Sequence, residues 1–254
     1  DDGSGEALYA GGWFTTAGTV AVNQIARWDG TAWSALSGPA GPGTDGPVYA
    51  LAVVDDGNGE ALYAGGEFTT AGGVEANHVA RWDGTAWSAL VGPAGTGTDG
   101  PVFALTAFDD GNGEALYAGG EFTTAGGLPV NYIAKWDGAA WSPLVGPAGT
   151  GTDSPVQALA GYDEGSGEAL YAGGFFNFAG GEPVDHVARW DGTAWSAVRG
   201  PDDSGPNGRV RALAVYDDGN GEALYAGGGF DSAGPTGMAA GGLARWAGTG
   251  WTGI

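Results

Sequence analysis

The chain of 254 residues has no cysteine, two histidines, and eight lysines and arginines against 30 acidic residues. The absence of cysteine excludes a disulfide framework, a thiolate nucleophile and a cysteine-ligated zinc site. Because the net charge is −22, nucleic acid and anionic membrane surfaces would be repelled. No apolar run approaches the roughly 18 residues of a transmembrane helix, so we expect no membrane span and no nucleic-acid partner.

The sequence also lacks a helical apolar period, a signal-peptide pattern, an N-glycosylation sequon and a methionine at position 1. We therefore expect an all-β chain that is a processed or trimmed product. Glycine is abundant, with 54 residues, but the chain is 43% hydrophobic and has 11 tryptophans. This composition predicts a folded core with glycine in the turns.

One repeat organises the whole chain. The string DDGSGEALYAGG begins at Asp1, and close copies begin at Asp55, Asp109, Asp163 and Asp217. A second block, HVARWDGTAW in the second copy, follows each of them, with a small insertion in the fifth copy near Pro235 to Gly241. We predict a single domain over residues 1–254 with a 54-residue repeat.

Each complete copy reads as four short strands. In the second copy we predict strands at 48–54, 61–68, 78–82 and 86–90, with Asp83-Gly84 as a two-residue type I′ hairpin turn. Four antiparallel strands per unit are typical of a β-propeller blade. The fold class is therefore all-β, a β-propeller of five blades.

The motifs LYAGG and WDGTAW resemble kelch-type repeats and the central domain of galactose oxidase. The fuller pattern LYAGGEFTTAGG…VARWDGTAWSAL is similar to repeats of secreted bacterial propellers and fungal cell-surface polarity markers. The resemblance covers essentially the whole chain and implies a secreted or cell-surface propeller. It carries no copper-oxidase site to this sequence, and tryptophan stands where kelch repeats usually have tyrosine.

The first copy lacks a first strand, because the chain begins at its acidic turn. We expect the native chain to continue past one terminus; strand donation by another chain and additional blades are the alternatives. An open strand edge invites such pairing.

The DDGNGE turns could be calcium loops, because they gather carboxylate and amide oxygens within six residues. The same residues are also ordinary for a hairpin turn, which we favour. The cations Arg27, Arg81, Lys135, Arg189 and Arg245 share one repeat position, and we expect them to be structural. We also expect the second tryptophan of each copy to fill the gaps between blades.

Variation among the copies indicates where a ligand could bind. The candidate ligand-binding residues are Trp13, Gln24, Glu67, Asn77, His78, Glu121, Asn131, Tyr132, Phe175, Asp185 and His186. A lectin-like pocket in each blade and simple loop capping both fit these residue types. We predict no catalytic residue, no metal site and no cofactor, with calcium at the acidic turns as the alternative.

These observations predict an extracellular, non-enzymatic binding or scaffold protein whose long-loop face takes a protein or glycan. A carbohydrate-binding lectin and a self-assembling subunit completed at the first blade are the alternatives.

Overall fold

The computed structural model describes residues 6–200, 204–234 and 239–254. All regular structure in these ranges is β, and they contain no helix. Most of the first acidic turn, at residues 1–5, and much of the fifth-copy insertion, at residues 235–238, lie outside the described residues.

The repeat appears as a set of four strands, here called first to fourth in chain order. The first strands are Val48–Asp55, Val102–Asp109, Val156–Asp163 and Arg209–Asp217. The second strands are Leu8–Gly11, Glu60–Gly66, Glu114–Gly120, Glu168–Gly174 and Glu222–Gly229. The third strands are Ile25–Trp28, Val79–Trp82, Ile133–Trp136, Val187–Trp190 and Leu243–Trp246. The fourth strands are Trp33–Ala35, Trp87–Ala89, Trp141–Pro143, Trp195–Ala197 and Trp251–Gly253.

The strands form antiparallel sheets in the order first, second, third, fourth. Four sheets have four strands, and the first sheet has three in the described residues. This succession of small antiparallel sheets confirms the all-β class and is propeller-like.

Short hairpins fill the connections, and the sequence had not indicated them. Those between second and third strands are Thr16–Ala17 with Val20–Ala21, Thr70–Ala71 with Val74–Glu75, Thr124–Ala125 with Leu128–Pro129, and Phe178–Ala179 with Glu182–Pro183. Those leading from a fourth strand to the next first strand are Ser37–Gly38 with Gly41–Pro42, Val91–Gly92 with Gly95–Thr96, and Val145–Gly146 with Gly149–Thr150.

The predicted type I′ turn at Asp83-Gly84 is wrong. Trp82 pairs with Trp87, so four residues lie between the strands, and of these only Gly84 has a positive φ, of 90°. The Asp83 Oδ1 atom accepts hydrogen bonds from the backbone N–H groups of Thr85 and Ala86 at 2.9 and 2.7 Å. The Asp83 side chain therefore closes the loop by accepting these hydrogen bonds, and the loop needs no second residue with a positive φ.

Tryptophans join each repeat to the one before it. The indole Nε1 atoms of Trp87, Trp195 and Trp251 donate to the carbonyls of Leu36, Leu144 and Val198 at 3.0, 3.4 and 2.8 Å. Each of these indoles is buried and lies 5.2–5.5 Å from the other tryptophan of its repeat, as in the Trp82–Trp87 and Trp246–Trp251 pairs. The expected role of the second tryptophan, filling the space between successive sheets, is confirmed at these positions.

The described chain divides into two compact units. The first holds the residues up to Asp109 with Gly113–Val130 and Ala134–Ser142, and the second holds Asp110–Asn112, Asn131–Ile133 and Pro143–Ile254. A buried core runs through the second and third sheets of the first unit, with Tyr63, Phe122 and Trp141 among its largest side chains. Another in the second unit surrounds Tyr171, Phe230 and Trp251.

In the described part of the chain, the first sheet has an open edge. Its second strand, Leu8–Gly11, pairs with Ile25–Trp28 and with no other described strand. In the second repeat, a Cβ on Gly66 would overlap the carbonyl oxygen of Pro47 beside the first strand. The equivalent Gly12 faces only the Phe14 side chain, at 3.2 Å from such a Cβ. Leu8 is 63% exposed beside this edge.

Candidate functional site

The framework residues of the repeat hold the acidic turns in place. The Asp55 Oδ1 atom accepts from the N–H groups of Gly57 and Gly59 at 3.1 and 3.2 Å. The next residue, Asp56, is buried and accepts from the Tyr63 hydroxyl and from Trp136 Nε1. In the second unit, Glu164 likewise accepts from Trp246 Nε1 at 3.0 Å. These carboxylates thus stabilise the turn and fasten it to the next repeat.

The repeated cations bind the same turns or pack on a ring of their own repeat. Arg81 donates to the Gly59 carbonyl at 3.1 Å, Arg189 pairs with Glu164 at 3.3 Å, and Lys135 lies over the Tyr117 ring. This confirms the expected structural role of that position. No group of three or more histidine and acidic side chains placed to hold a metal occurs in the described residues.

The predicted asparagines cap loops. The Asn77 and Asn131 Nδ2 atoms donate to the carbonyls of Thr96 and Thr150 at 3.3 and 3.1 Å. Each asparagine has a positive φ, of 47° and 53°, and so does the residue after it, His78 or Tyr132. Two successive non-glycine residues in this conformation are uncommon, and strain of this kind concentrates at functional sites.

Small clefts recur beside these asparagines. They hold about 180, 240 and 260 Å³ and are lined by loop glycines and threonines together with Asn23, Asn77 or Asn131. Asp45, Asp99 and Asp153 line one each, but their carboxylates are already engaged. Asp45, for example, accepts from the N–H groups of Thr69 and Thr70 at 2.8 Å each.

In the first unit, the variable side chains form a group here called the Tyr49 cluster: Tyr49, Glu67, His78 and Phe103. The Tyr49 hydroxyl donates to Glu67 Oε2 at 2.9 Å, and the Tyr49 and Phe103 rings lie 5.9 Å apart. Burial lowers the pKa of His78 below its ordinary value, although the Glu67 carboxylate acts to raise it. The histidine is therefore neutral at pH 7 and offers hydrogen bonds without charge.

In the second unit, the corresponding group is the Phe175 cluster: Phe175, His186 and Arg209. The Phe175 and His186 rings are parallel to within 3°, with centroids 5.6 Å apart, and the Arg209 guanidinium lies 4.9 Å from the Phe175 centroid. Phe175 is 49% exposed. Burial lowers the pKa of His186, against the nearby carboxylates of Asp185 and Asp153. Asp185 itself is paired with Arg199 at 3.0 Å.

The other predicted residues have separate surroundings. Trp13 is 85% exposed, and Glu121 is exposed as well. Gln24 is buried, and its Oε1 atom accepts from the Phe14 N–H at 2.9 Å. Tyr132 is partly buried. The described contacts do not join these four residues to either cluster.

Sequence reasoning missed Tyr49, Phe103 and Arg209. Tyr49 and Phe103 occupy a β-bulge in the first strand, where the register shifts between Val48 and Ala50 and between Val102 and Ala104. The equivalent bulge residues are Gln157 and Arg211. Aligning the copies would have exposed this position, since four different residues occupy it inside an otherwise uniform V-x-A-L pattern. Bulges re-aim side chains and are over-represented next to active sites.

Comparisons with known proteins give a fold relative and no family. No family model and no curated protein matches this chain. Among solved structures, the extracellular domain of a protein named as a hybrid two-component system of B. thetaiotaomicron matches with a TM-score of 0.54. The match covers 98% of this chain but 26% of that one, at 14% identity. The likeness is thus one of fold, to about a quarter of the other chain.

Proposed function

We propose that this chain is an extracellular, non-enzymatic binding module of the β-propeller type, with five blades. The observation that carries the proposal is a contrast between two sets of residues. The residues that hold the turns and strands are repeated from copy to copy, whereas the Tyr49 and Phe175 clusters differ from each other. The repeated polar groups of the turns bind one another, whereas each cluster combines aromatic rings with a histidine and one charged side chain, Glu67 in the first and Arg209 in the second. Such combinations favour ligand recognition.

The extracellular assignment is supported by the solved structure of similar fold, which is itself an extracellular domain. The described residues include no helix long and apolar enough to cross a bilayer. The binding partner on the long-loop side would be a protein or a glycan, as the resemblance to secreted propellers implies.

The experiment is a parallel screen of the purified chain on glycan and peptide arrays, using two variants as controls. Tyr49→Ala disables the first cluster, and Phe175→Ala disables the second. We expect at least one ligand whose binding falls more than tenfold in one variant. The proposal would be contradicted if every ligand found bound both variants with the same affinity as it binds the unmodified chain.

A lectin with one pocket per blade is a second candidate, favoured by the recurring clefts beside Asn23, Asn77 and Asn131. A lectin of this kind would bind several copies of one saccharide with similar affinities. Calorimetry with an array hit would give a stoichiometry near three or above. A stoichiometry of one, or no glycan hit, would count against it.

Assembly by strand donation is a third candidate, favoured by the open edge at Leu8–Gly11. The second sheet shows which strand would fill this edge. There, a first strand with a V-x-A-L pattern pairs with the two glycines that end the second strand. A synthetic peptide of residues 47–55 should pair with this edge and raise the melting temperature in a saturable way. No effect of the peptide, together with a size in solution that does not change with concentration, would contradict the assembly candidate.

A further inference from the structure

Cations outside the repeat framework are confined to one region. Five of the eight lysines and arginines occupy the shared position before the first tryptophan. The other three are Arg199, Arg209 and Arg211, and all belong to the second unit. In a chain of net charge −22, three added cations within so short a stretch mark a local exception to the acidic surface.

Arg209 breaks the repeat pattern. Its equivalents in the earlier copies are Pro47, Pro101 and Pro155, and its strand packs against the first and second strands of the preceding sheet. This packing places the guanidinium over Phe175, which directly follows that second strand. Stacking on an aromatic ring fixes the guanidinium plane while leaving its N–H groups available.

Arg211 lies in the same strand at the bulge, where it is exposed. Neither Arg209 nor Arg211 forms an ion pair with a carboxylate in the described part of the chain. Arg199, by contrast, neutralises Asp185 at 3.0 Å, so the carboxylate next to His186 is already paired. Two cations thus remain for an external anion.

Unsatisfied polar atoms occur on His186, which stacks on Phe175, and on Gln157, whose strand packs against that of Arg209. His186 Nδ1 and Gln157 Oε1 are buried without a hydrogen-bond partner in the described residues, and so is the equivalent His78 Nδ1 of the first unit. Gln157 is the bulge residue of the neighbouring first strand. Groups left unpaired in this way favour a bound ligand or water at the site.

We propose that the Phe175 cluster, with Arg211, binds an oxyanion carried by the ligand, in the form of a carboxylate or sulfate group. Guanidinium groups match the geometry of such oxyanions with paired N–H donors. The inference rests on the proposed binding function and names the chemical group that this cluster recognises. The half-exposed Phe175 ring would contact an apolar part of the same ligand.

The two histidines make the test direct, because His78 and His186 occupy equivalent repeat positions in different units. We would follow their Hε1 resonances by NMR while adding sodium glucuronate or sodium sulfate, holding ionic strength constant with sodium chloride. We expect the His186 signal to shift saturably and the His78 signal to stay. Saturation by glucuronate indicates a carboxylate-bearing ligand, and saturation by sulfate alone indicates a sulfated one.

Variants separate recognition from a general charge effect. Arg209→Gln and Arg211→Gln should each weaken binding about tenfold or more, as expected for loss of a charge-assisted contact. Val91→Glu, at a 59% exposed position of the first unit, lowers the net charge equally and should leave binding unchanged.

The inference is overturned if His186 does not respond to either anion, or if Arg209→Gln and Arg211→Gln bind as well as the unmodified chain. A saturable response of His78 alone would also overturn it, but would leave the proposed binding function standing. Array ligands that remain insensitive to both Tyr49→Ala and Phe175→Ala would remove the proposed function itself.

Discussion

At the residue scale, equivalent glycines in two copies allow a steric prediction to be tested with a matched control. Gly66→Ala would drive a methyl group into the backbone of the adjacent first strand at Pro47. We expect it to lower the free energy of unfolding by about 3 kcal/mol, because backbone atoms cannot step aside. Gly12→Ala meets only a movable Phe14 ring and should change stability by less than about 0.5 kcal/mol.

Urea denaturation of both glycine variants gives the comparison. A large loss in Gly12→Ala would mean that another strand occupies the open edge in solution. Equal, small losses in both variants would contradict the strand packing described for the second sheet.

The carboxylate of Asp45 permits a pH prediction. Burial acts to raise its pKa, but the hydrogen bonds from Thr69 and Thr70 together outweigh burial and hold the pKa below its ordinary value. The stabilisation is therefore complete above the unfolded-state pKa, and it is lost as the pH falls through the folded-state value. Asp45→Asn is a conservative substitution, because the fifth copy has asparagine at the equivalent position. There the Asn207 Oδ1 atom accepts a hydrogen bond from the backbone N–H of Asp231 at 3.0 Å.

We expect Asp45→Asn to cost up to about 1 kcal/mol at neutral pH, as a charge-assisted hydrogen bond becomes a neutral one at an exposed site. The difference from the unmodified chain should shrink as the pH falls through the folded-state pKa of Asp45, below which both side chains are uncharged. Unfolding curves across this range check the prediction. A gap that is constant with pH would show that the charge of Asp45 contributes nothing.

At the scale of the strands and turns, Asp56 fastens one sheet to the next. Asp56→Ala would leave the buried Tyr63 hydroxyl and the Trp136 indole N–H without their acceptor. We expect a loss of about 3 kcal/mol, the usual range for stranding buried donors. Asp218 is the matched residue of the fifth copy, and its bond to Tyr225 at 2.9 Å is exposed, so Asp218→Ala should cost far less. Similar losses in the two variants, measured by urea unfolding, would refute this role for Asp56.

The strands were predictable because their pattern is strong and repeated. The predicted strand at 48–54 differs by one residue from Val48–Asp55, whereas the predicted strand at 61–68 extends past its actual end at Gly66. The loops were less predictable, because side-chain bonds such as those of Asp83 determine them and period-2 patterns do not. The candidate site was found only in part: His78 and Phe175 stood out as variable loop residues, but Arg209 lies inside a strand, and its role depends on packing between sheets.

At the scale of the whole molecule, charge dominates. A net charge of −22 with a pI of about 4.1 creates self-repulsion that destabilises the compact state at neutral pH. The acidic turns concentrate this charge. Screening by salt should therefore stabilise the protein. We expect the melting temperature to rise by roughly 5 °C between 10 mM and 0.5 M sodium chloride, as the Debye length falls from roughly 30 Å to below 5 Å.

The same measurement separates screening from specific calcium binding at the acidic turns. Simple screening depends on ionic strength, so 2 mM calcium chloride should do no more than sodium chloride of equal ionic strength. A calcium loop would instead stabilise the folded state by mass action and raise the melting temperature at millimolar calcium alone. Because Asp55 and Asp56 already accept hydrogen bonds from Gly57, Gly59, Tyr63 and Trp136, a cation would compete with the bonds that hold the turn. We therefore expect equal melting temperatures in the two salts, and an added shift with calcium would contradict the role assigned to the turn carboxylates.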